Sequence, residues 1–313
     1  MTNSNAELTL DRVNEIARNY YKEILFLFLP NVCNAKCNFC YLKPKFSENA
    51  QLPARLLDEM RDFLNLTYSL GFREIRVTGG EPLVFRNFDA LIEILKASNL
   101  EYTLLTNGTL LSRNLKHLTA NKPKKVILSF HSIKNYQKIF GSAVDWKNTV
   151  LSIKTLLDYE IEVVIAIIFL DENRNEVVSL IEYFHNIGIK KFKIICPNTP
   201  SFNDKYKHSF LDLTMSMKEI EYSSKDIEVR FTDLTQSDCL LKERGFLSLT
   251  IPSFHLFGCC ATIPYGYSHR AKPFELQHLS TILINTYEKF SLTNQKYPCK
   301  CYIQACPISL CKL

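Results

Sequence analysis

Three cysteines, Cys33, Cys37 and Cys40, fall in the run Cys33-Asn34-Ala35-Lys36-Cys37-Asn38-Phe39-Cys40. Three thiolates this close can hold three irons of a 4Fe-4S cube, because cluster iron is bound by cysteine sulfur and a tight loop brings the sulfurs onto one face. The fourth iron is then left open to another ligand. Zinc is the competing metal, but it would take a fourth Cys or His close by in sequence, and none is adjacent. No secretory signal pattern opens the sequence, so the thiols are expected to be reduced and available to metal in the cytoplasm rather than paired as disulfides.

Two further groups carry chemistry. In Gly79-Gly80-Glu81, two glycines let backbone approach a ligand closely, and the carboxylate offers an acceptor to a cationic amine. Thr106-Asn107-Gly108 reads equally as an ordinary turn, since Asn and Gly tolerate the left-handed conformation. Ser129 adds a hydroxyl at the end of an apolar run.

These residues need a scaffold that brings loop residues together. Six β-rich runs alternate with amphipathic segments: Ile24 to Pro30, Glu74 to Thr78, Glu101 to Thr106, Lys125 to Phe130, Ile161 to Leu170 and Lys190 to Cys196. Helical patterns lie between them. Pro53 to Leu70 opens on proline in its first turn and stops before Gly71, and Arg174 to Ile187 stops before Gly188. Such alternation reads as βα repeats on a parallel sheet whose apolar strands are covered on both faces. The pattern allows a barrel or an open doubly wound sheet. In a parallel barrel the reactive groups collect on loops after the carboxyl ends of strands. The cysteine loop follows strand one, Gly79-Gly80-Glu81 strand two and Asn107 strand three, while Ser129 closes strand four.

Cys-x3-Cys-x2-Cys with Phe39 before the last cysteine resembles the signature of the radical S-adenosylmethionine (radical SAM) superfamily. The resemblance implies an α/β fold, a partial (β/α)6 TIM-like barrel, and a 4Fe-4S cluster on Cys33, Cys37 and Cys40. It implies that the open iron binds the amino and carboxylate groups of the methionine part of S-adenosyl-L-methionine, and that one-electron reduction releases a 5'-deoxyadenosyl radical. Gly79, Gly80 and Glu81 are similar to the family's GGE motif, which meets the methionine ammonium. By the same resemblance Phe39 contacts adenine, while Asn107 and Ser129 join the cofactor contacts. Relatives commonly carry Asp two positions beyond that serine, where this chain has His131.

Seven of the 11 cysteines lie in residues 231–313: Cys239, Cys259, Cys260, Cys299, Cys301, Cys306 and Cys311. This stretch resembles the SPASM or twitch extension, a small cysteine-rich domain that binds auxiliary Fe-S clusters. The family spacing Cys-x(9 to 15)-Gly-x4-Cys is met by Cys239 and Cys259, with Phe254 in place of the turn glycine. The family's Cys-x2-Cys-x5-Cys-x3-Cys is replaced by Cys299-x-Cys301-x4-Cys306-x4-Cys311. At least one auxiliary cluster is therefore expected, with Cys239, Cys259 and Cys311 foremost among its ligands; a four-thiolate zinc site fits similar spacings. Cys260, directly after an expected ligand, resembles the cysteine with which some radical SAM peptide epimerases donate a hydrogen atom. It also fits a cluster ligand or a small buried hydrophobe. Cys196, alone after strand six, reads as core.

The expected division is an N-terminal segment (1–20), a core barrel (21–200), a connection with some helix (201–230) and the cysteine-rich extension (231–313). Composition is that of an ordinary globular chain, 46% apolar and 22% charged, and no apolar run is long enough to span a membrane. The net charge of +6 reads as a lysine-rich surface rather than a nucleic-acid footprint. The resemblance implies a ribosomally made peptide as substrate, with epimerisation, cross-linking and dehydrogenation open as outcomes, and an electron donor such as flavodoxin or ferredoxin. A small molecule or nucleotide, as in molybdenum-cofactor cyclases, is the alternative substrate. An Fe-S or zinc module that only binds a partner is the non-enzymatic one, and it would have no use for the GGE motif.

Overall fold

The computed structural model describes residues 2–40, 42–141, 145–195, 213, 226–231, 247–257, 269–272 and 274–288. In chain order the first elements are α1 (Thr2–Asn19), β1 (Ile24–Phe28), β2 (Val32–Cys33), β3 (Lys45–Phe46), α2 (Ala54–Ser69), β4 (Glu74–Thr78) and α3 (Phe88–Ala97). Next come β5 (Glu101–Thr106), α4 (Leu111–Ala120), β6 (Lys125–Ser129), α5 (Tyr136–Phe140), α6 (Trp146–Asp158), β7 (Val163–Ile168), α7 (Val177–Asn186) and β8 (Lys191–Ile195). Then follow β9 (Glu228–Phe231), β10 (Leu247–Thr250), β11 (His255–Phe257), β12 (His269–Arg270) and α8 (Leu276–Tyr287). All six expected strand runs are strands. The chain divides into two compact units: residues 1–32, 49–103 and 239–298 make the first, and 33–48, 104–238 and 299–313 the second.

In the first unit the strand order is β12-β11-β10-β1-β4-β5. β1 pairs in parallel with β4 (Leu27 opposite Val77) and with β10 (Leu27 opposite Leu249). Between two neighbours and covered on both faces, its Leu25 to Phe28 are buried, which is why the run is apolar without alternation. α2 buries Leu56, Met60, Phe63, Leu64 and Thr67, a stripe at three- and four-residue steps. Pro53 is the residue before this helix rather than part of its first turn. Arg76 and Glu74 form a buried ion pair at 2.9 Å, and Thr103 donates to the same carboxylate oxygen at 2.8 Å. β10 and β11 form an antiparallel hairpin across Ile251 to Phe254.

In the second unit β6, β7, β8 and β9 pair in parallel, with Ile127 opposite Val164, Ile165 opposite Phe192, and Phe192 opposite Val229. Ile127, Val164 and Ala166 bury one face against Leu105 and Ile195. β9 begins within the span expected as a connection with some helix (201–230) and runs one residue past it. α7 begins at Val177, later than the expected Arg174. The reason is chemical: Asn173 and Glu176 spend their side chains on the loop after β6 and hold the backbone there in turns. Asn173 Nδ2 donates to the carbonyls of His131 (2.6 Å) and Ile168 (2.7 Å), and Glu176 accepts from Ser132 Oγ and from the N–H groups of Ile133 (2.7 Å) and Lys134 (3.2 Å). Among the described residues no helix is long and apolar enough to cross a membrane.

Candidate functional site

The cysteine loop belongs to the second unit. Its main chain is fixed by Lys36 N–H to the carbonyl of Phe140 (2.8 Å), Cys40 N–H to that of Cys37 (3.2 Å) and Ser47 N–H to that of Cys33 (2.9 Å). Cys33 is buried, Cys37 and Cys40 are half-buried, and none of the three is in a disulfide. The Cys33 sulfur accepts from the Ala35 N–H at 3.4 Å and from Asn107 Nδ2 at 3.7 Å.

Burial pushes the Cys37 thiol up to about 12, and the neighbouring Cys33 and Cys40 push in the same direction. Three thiolates on one loop repel one another. Among the described residues no three His, Cys, Asp or Glu side chains are gathered tightly enough to hold an ion in the metal-free chain. A cationic centre reverses that repulsion, and three cysteine sulfurs on one loop are the donor set iron prefers, so the loop fits an Fe-S cluster.

Gly79-Gly80-Glu81 belongs to the first unit. Gly79 has φ +131°, and a Cβ there would lie 2.7 Å from the carbonyl oxygen of Leu29; at Gly80 a Cβ would lie 1.9 Å from that of Val32. The Glu81 N–H donates to the Val32 carbonyl at 2.8 Å. The glycines expected to admit a ligand thus admit the chain's own segment, the one that leads into Cys33. Glu81 is buried, and its Oε1 accepts from the Leu83 N–H at 3.0 Å, capping a single 3-10 turn over Pro82–Val84.

Around Asn107 the side chains form a closed ring. Asn107 Nδ2 donates to Asn34 Oδ1 (3.0 Å), Asn34 Nδ2 donates to Thr109 Oγ1 (2.8 Å), and Thr109 Oγ1 donates to Asn107 Oδ1 (2.6 Å). Sequence reasoning missed Asn34 and Thr109, although one sits between two cysteines and the other just beyond Thr-Asn-Gly. Ser129 is half-buried beside Ala166 in the β6–β7 register, with no hydrogen-bond partner for its hydroxyl among the described residues.

His131, visible in the sequence only as a departure from the family's Asp, is a further residue of the site. Its ring stacks on Phe140 (centroids 5.2 Å, planes 18° apart) and receives Phe39 edge-on at 5.2 Å. Burial lowers its pKa to about 3, so the ring is neutral at ordinary pH. Nδ1 accepts from the Ile168 N–H at 3.2 Å, which puts the proton on Nε2. Phe39, expected against adenine, is therefore half-buried on an uncharged aromatic layer.

Cys196, Cys239, Cys259, Cys260, Cys299, Cys301, Cys306 and Cys311 lie outside the described residues. Phe254 is described: its φ is +51°, a backbone shape that glycine adopts most easily, in the turn between β10 and β11.

A family model described as "Radical SAM superfamily" matches residues 27–184. The GTP 3',8-cyclase of Aquifex aeolicus (strain VF5) is 30% identical over 176 residues, covering 53% of this chain and 54% of that one. The antilisterial bacteriocin subtilosin biosynthesis protein AlbA of Bacillus subtilis (strain 168) is 24% identical over 250 residues, covering 77% and 55%. The chain thus spans about half the length of the curated relatives it matches. Streptococcus suis SuiB bound to precursor peptide SuiA superimposes with a TM-score of 0.73 at 14% identity, over 99% of this chain and 77% of that one. That likeness shows the fold, a partial TIM-like barrel.

Proposed function

Because the chain belongs to the radical SAM superfamily, we propose that it is a radical enzyme that abstracts a hydrogen atom from a ribosomally made peptide. The observation that carries the peptide reading is the reach of the fold likeness. It extends to nearly all of this chain in a protein solved with its precursor peptide, and sequence similarity to a bacteriocin biosynthesis protein extends over three quarters of the chain. A small-molecule substrate is the second reading, favoured by the similarity to GTP 3',8-cyclases. That similarity covers about half of the chain, a share the family model covers as well.

When bound, a 4Fe-4S cluster and S-adenosyl-L-methionine supply a one-electron cleavage that yields a hydrogen-abstracting carbon radical. Cys33, Cys37 and Cys40 would hold the cluster. Gly79, Gly80 and Glu81 would present backbone and carboxylate to the methionine end, while Asn107 and Ser129 add polar contacts. The layer of Phe39, His131 and Phe140 keeps water and charge from one side of the loop, and its imidazole, neutral at ordinary pH, offers no acidic proton there. At least one auxiliary cluster would sit on the ligands expected in the cysteine-rich extension, and the glycine-like turn at Phe254 supports that reading. Cys260 would give a hydrogen atom from sulfur to the substrate carbon, leaving a sulfur radical that an electron and a proton restore. An electron donor such as flavodoxin or ferredoxin would serve these steps.

Anaerobic reconstitution followed by an assay for 5'-deoxyadenosine tests the class, and no cofactor cleavage under strong reductant defeats both readings. Iron counted in a Cys33→Ala/Cys37→Ala/Cys40→Ala variant tests the extension, since near-zero residual iron removes the auxiliary cluster. Cys260→Ala is expected to keep cofactor cleavage and lose epimerised product.

A further inference from the structure

We propose that Asn107 is a positioning residue that donates an N–H to the cluster-bearing sulfur of Cys33, and that Asn34 and Thr109 exist to aim it. This rests on the reading of Cys33 as a cluster ligand.

The orientation of the Asn107 amide follows from its partners. The Thr109 main-chain N–H can only donate, and it meets Asn107 Oδ1 at 3.0 Å. The other end of the amide is therefore Nδ2, and that end faces Asn34 Oδ1 at 3.0 Å and Cys33 Sγ at 3.7 Å. An amide nitrogen carries two protons. One goes to Asn34 and the second to the sulfur, a longer contact because sulfur is the larger atom.

The ring makes this aim hard to change. Each of Asn34, Asn107 and Thr109 donates one bond and accepts one around the cycle, so turning the Asn107 amide over would set two donors, its Nδ2 and the Thr109 N–H, against each other at one end and two acceptors, its Oδ1 and Asn34 Oδ1, at the other. Asn34 and Thr109 are buried, and such networks are strengthened by low dielectric and by mutual polarisation. The Cys33 sulfur also takes the Ala35 N–H at 3.4 Å, which makes it a doubly donated sulfur on a buried residue.

Hydrogen bonds to cluster sulfur favour the reduced state, which carries more negative charge, and so raise the reduction potential. The test is a redox titration of anaerobically reconstituted full-length protein, following the cluster whose electron paramagnetic resonance signal changes when S-adenosylmethionine is added. Asn107→Leu removes the donor at similar volume; Thr109→Val opens the ring; Thr109→Ser closes it again. The expected result is unchanged iron per chain, a lower midpoint potential in Asn107→Leu, a smaller fall in Thr109→Val, and recovery in Thr109→Ser. Wild-type potential in Asn107→Leu with full iron overturns the proposal. Should that variant lose iron, the Thr109 pair decides, and equal potentials in Val and Ser variants overturn it. Loop iron that persists at the wild-type count in the triple cysteine variant instead overturns the ligand reading, and the proposal with it.

Discussion

The main-chain N–H of Glu81 donates to the carbonyl of Val32 at 2.8 Å, so the Gly79-Gly80-Glu81 turn is bonded to the residue that directly precedes Cys33. A Cβ at position 80 would sit 1.9 Å from that same carbonyl oxygen, and backbone cannot step aside as a flexible side-chain tip can. Gly80→Ala is therefore expected to cost about 1–3 kcal/mol or more of stability and to lower iron retained after reconstitution. Urea unfolding and iron counting check this; a variant as stable and as iron-replete as wild type would show that the turn can relax.

Cys37 is expected to be a slow nucleophile in the metal-free protein. At pH 8, a thiol at about 12 rather than the ordinary 9 has its thiolate fraction cut about a thousandfold, and the greater nucleophilicity of the more basic thiolate recovers about twentyfold. The net expectation is alkylation roughly fiftyfold slower than a free cysteine, read by peptide mapping with iodoacetamide. Alkylation at the free-thiol rate would refute the burial argument.

His131 gives stability a pH dependence of definite sign. Its folded pKa of about 3 lies below the ordinary 6.5, through burial, with aromatic rings and a main-chain N–H as its described partners. Between those values the unfolded chain takes up a proton that the folded chain refuses. Its contribution is thus whole above pH 6.5 and is lost as pH falls toward 3, at up to about 1.4 kcal/mol per pH unit. His131→Phe keeps the stack and should flatten that slope, while losing about 1–3 kcal/mol at every pH because the Ile168 N–H is left without its acceptor. Urea unfolding from pH 4 to 8 separates the two effects; an unaltered slope would mean that other groups set it.

Ile24–Phe28 and Val163–Ile168 were readable because a strand buried on both faces is apolar along its length, and mixed runs such as Glu74–Thr78 were readable from their place between helical patterns. β9 and β10 carried no such mark: Glu-Val-Arg-Phe and Leu-Ser-Leu-Thr are short and half polar, and only pairing with β8 and β1 makes them strands. The cysteine spacing was legible for a similar reason, since loop chemistry is local. The Asn34–Asn107–Thr109 ring was not, because its members are brought together across more than 70 residues of chain. The departure at His131 could be seen in sequence, but its neutrality depends on Phe39 and Phe140, which only the fold brings to it.

Phe254 sets two effects against each other. A left-handed φ costs a non-glycine residue about 1–2 kcal/mol, while removing a fully buried phenylalanine costs about 3–5 kcal/mol. Its ring lies 5.0 Å from that of Phe274, with Lys272 Nζ 4.8 Å above it. Phe254→Gly, which restores the residue of the family pattern, is accordingly expected to lose about 2–3 kcal/mol by urea unfolding. A gain in stability would mean that strain outweighs the ring.

The ring around Asn107 also bears on how the protein ages. Asn-Gly is the pair most prone to deamidation, in which the glycine nitrogen attacks the side-chain carbonyl carbon to close a succinimide. Here the Gly108 N–H is held by Thr106 Oγ1 at 3.0 Å, and both ends of the Asn107 amide are engaged. The folded chain thus shields from spontaneous chemical decay the residue whose conversion to aspartate would set a negative charge against the cysteine sulfur.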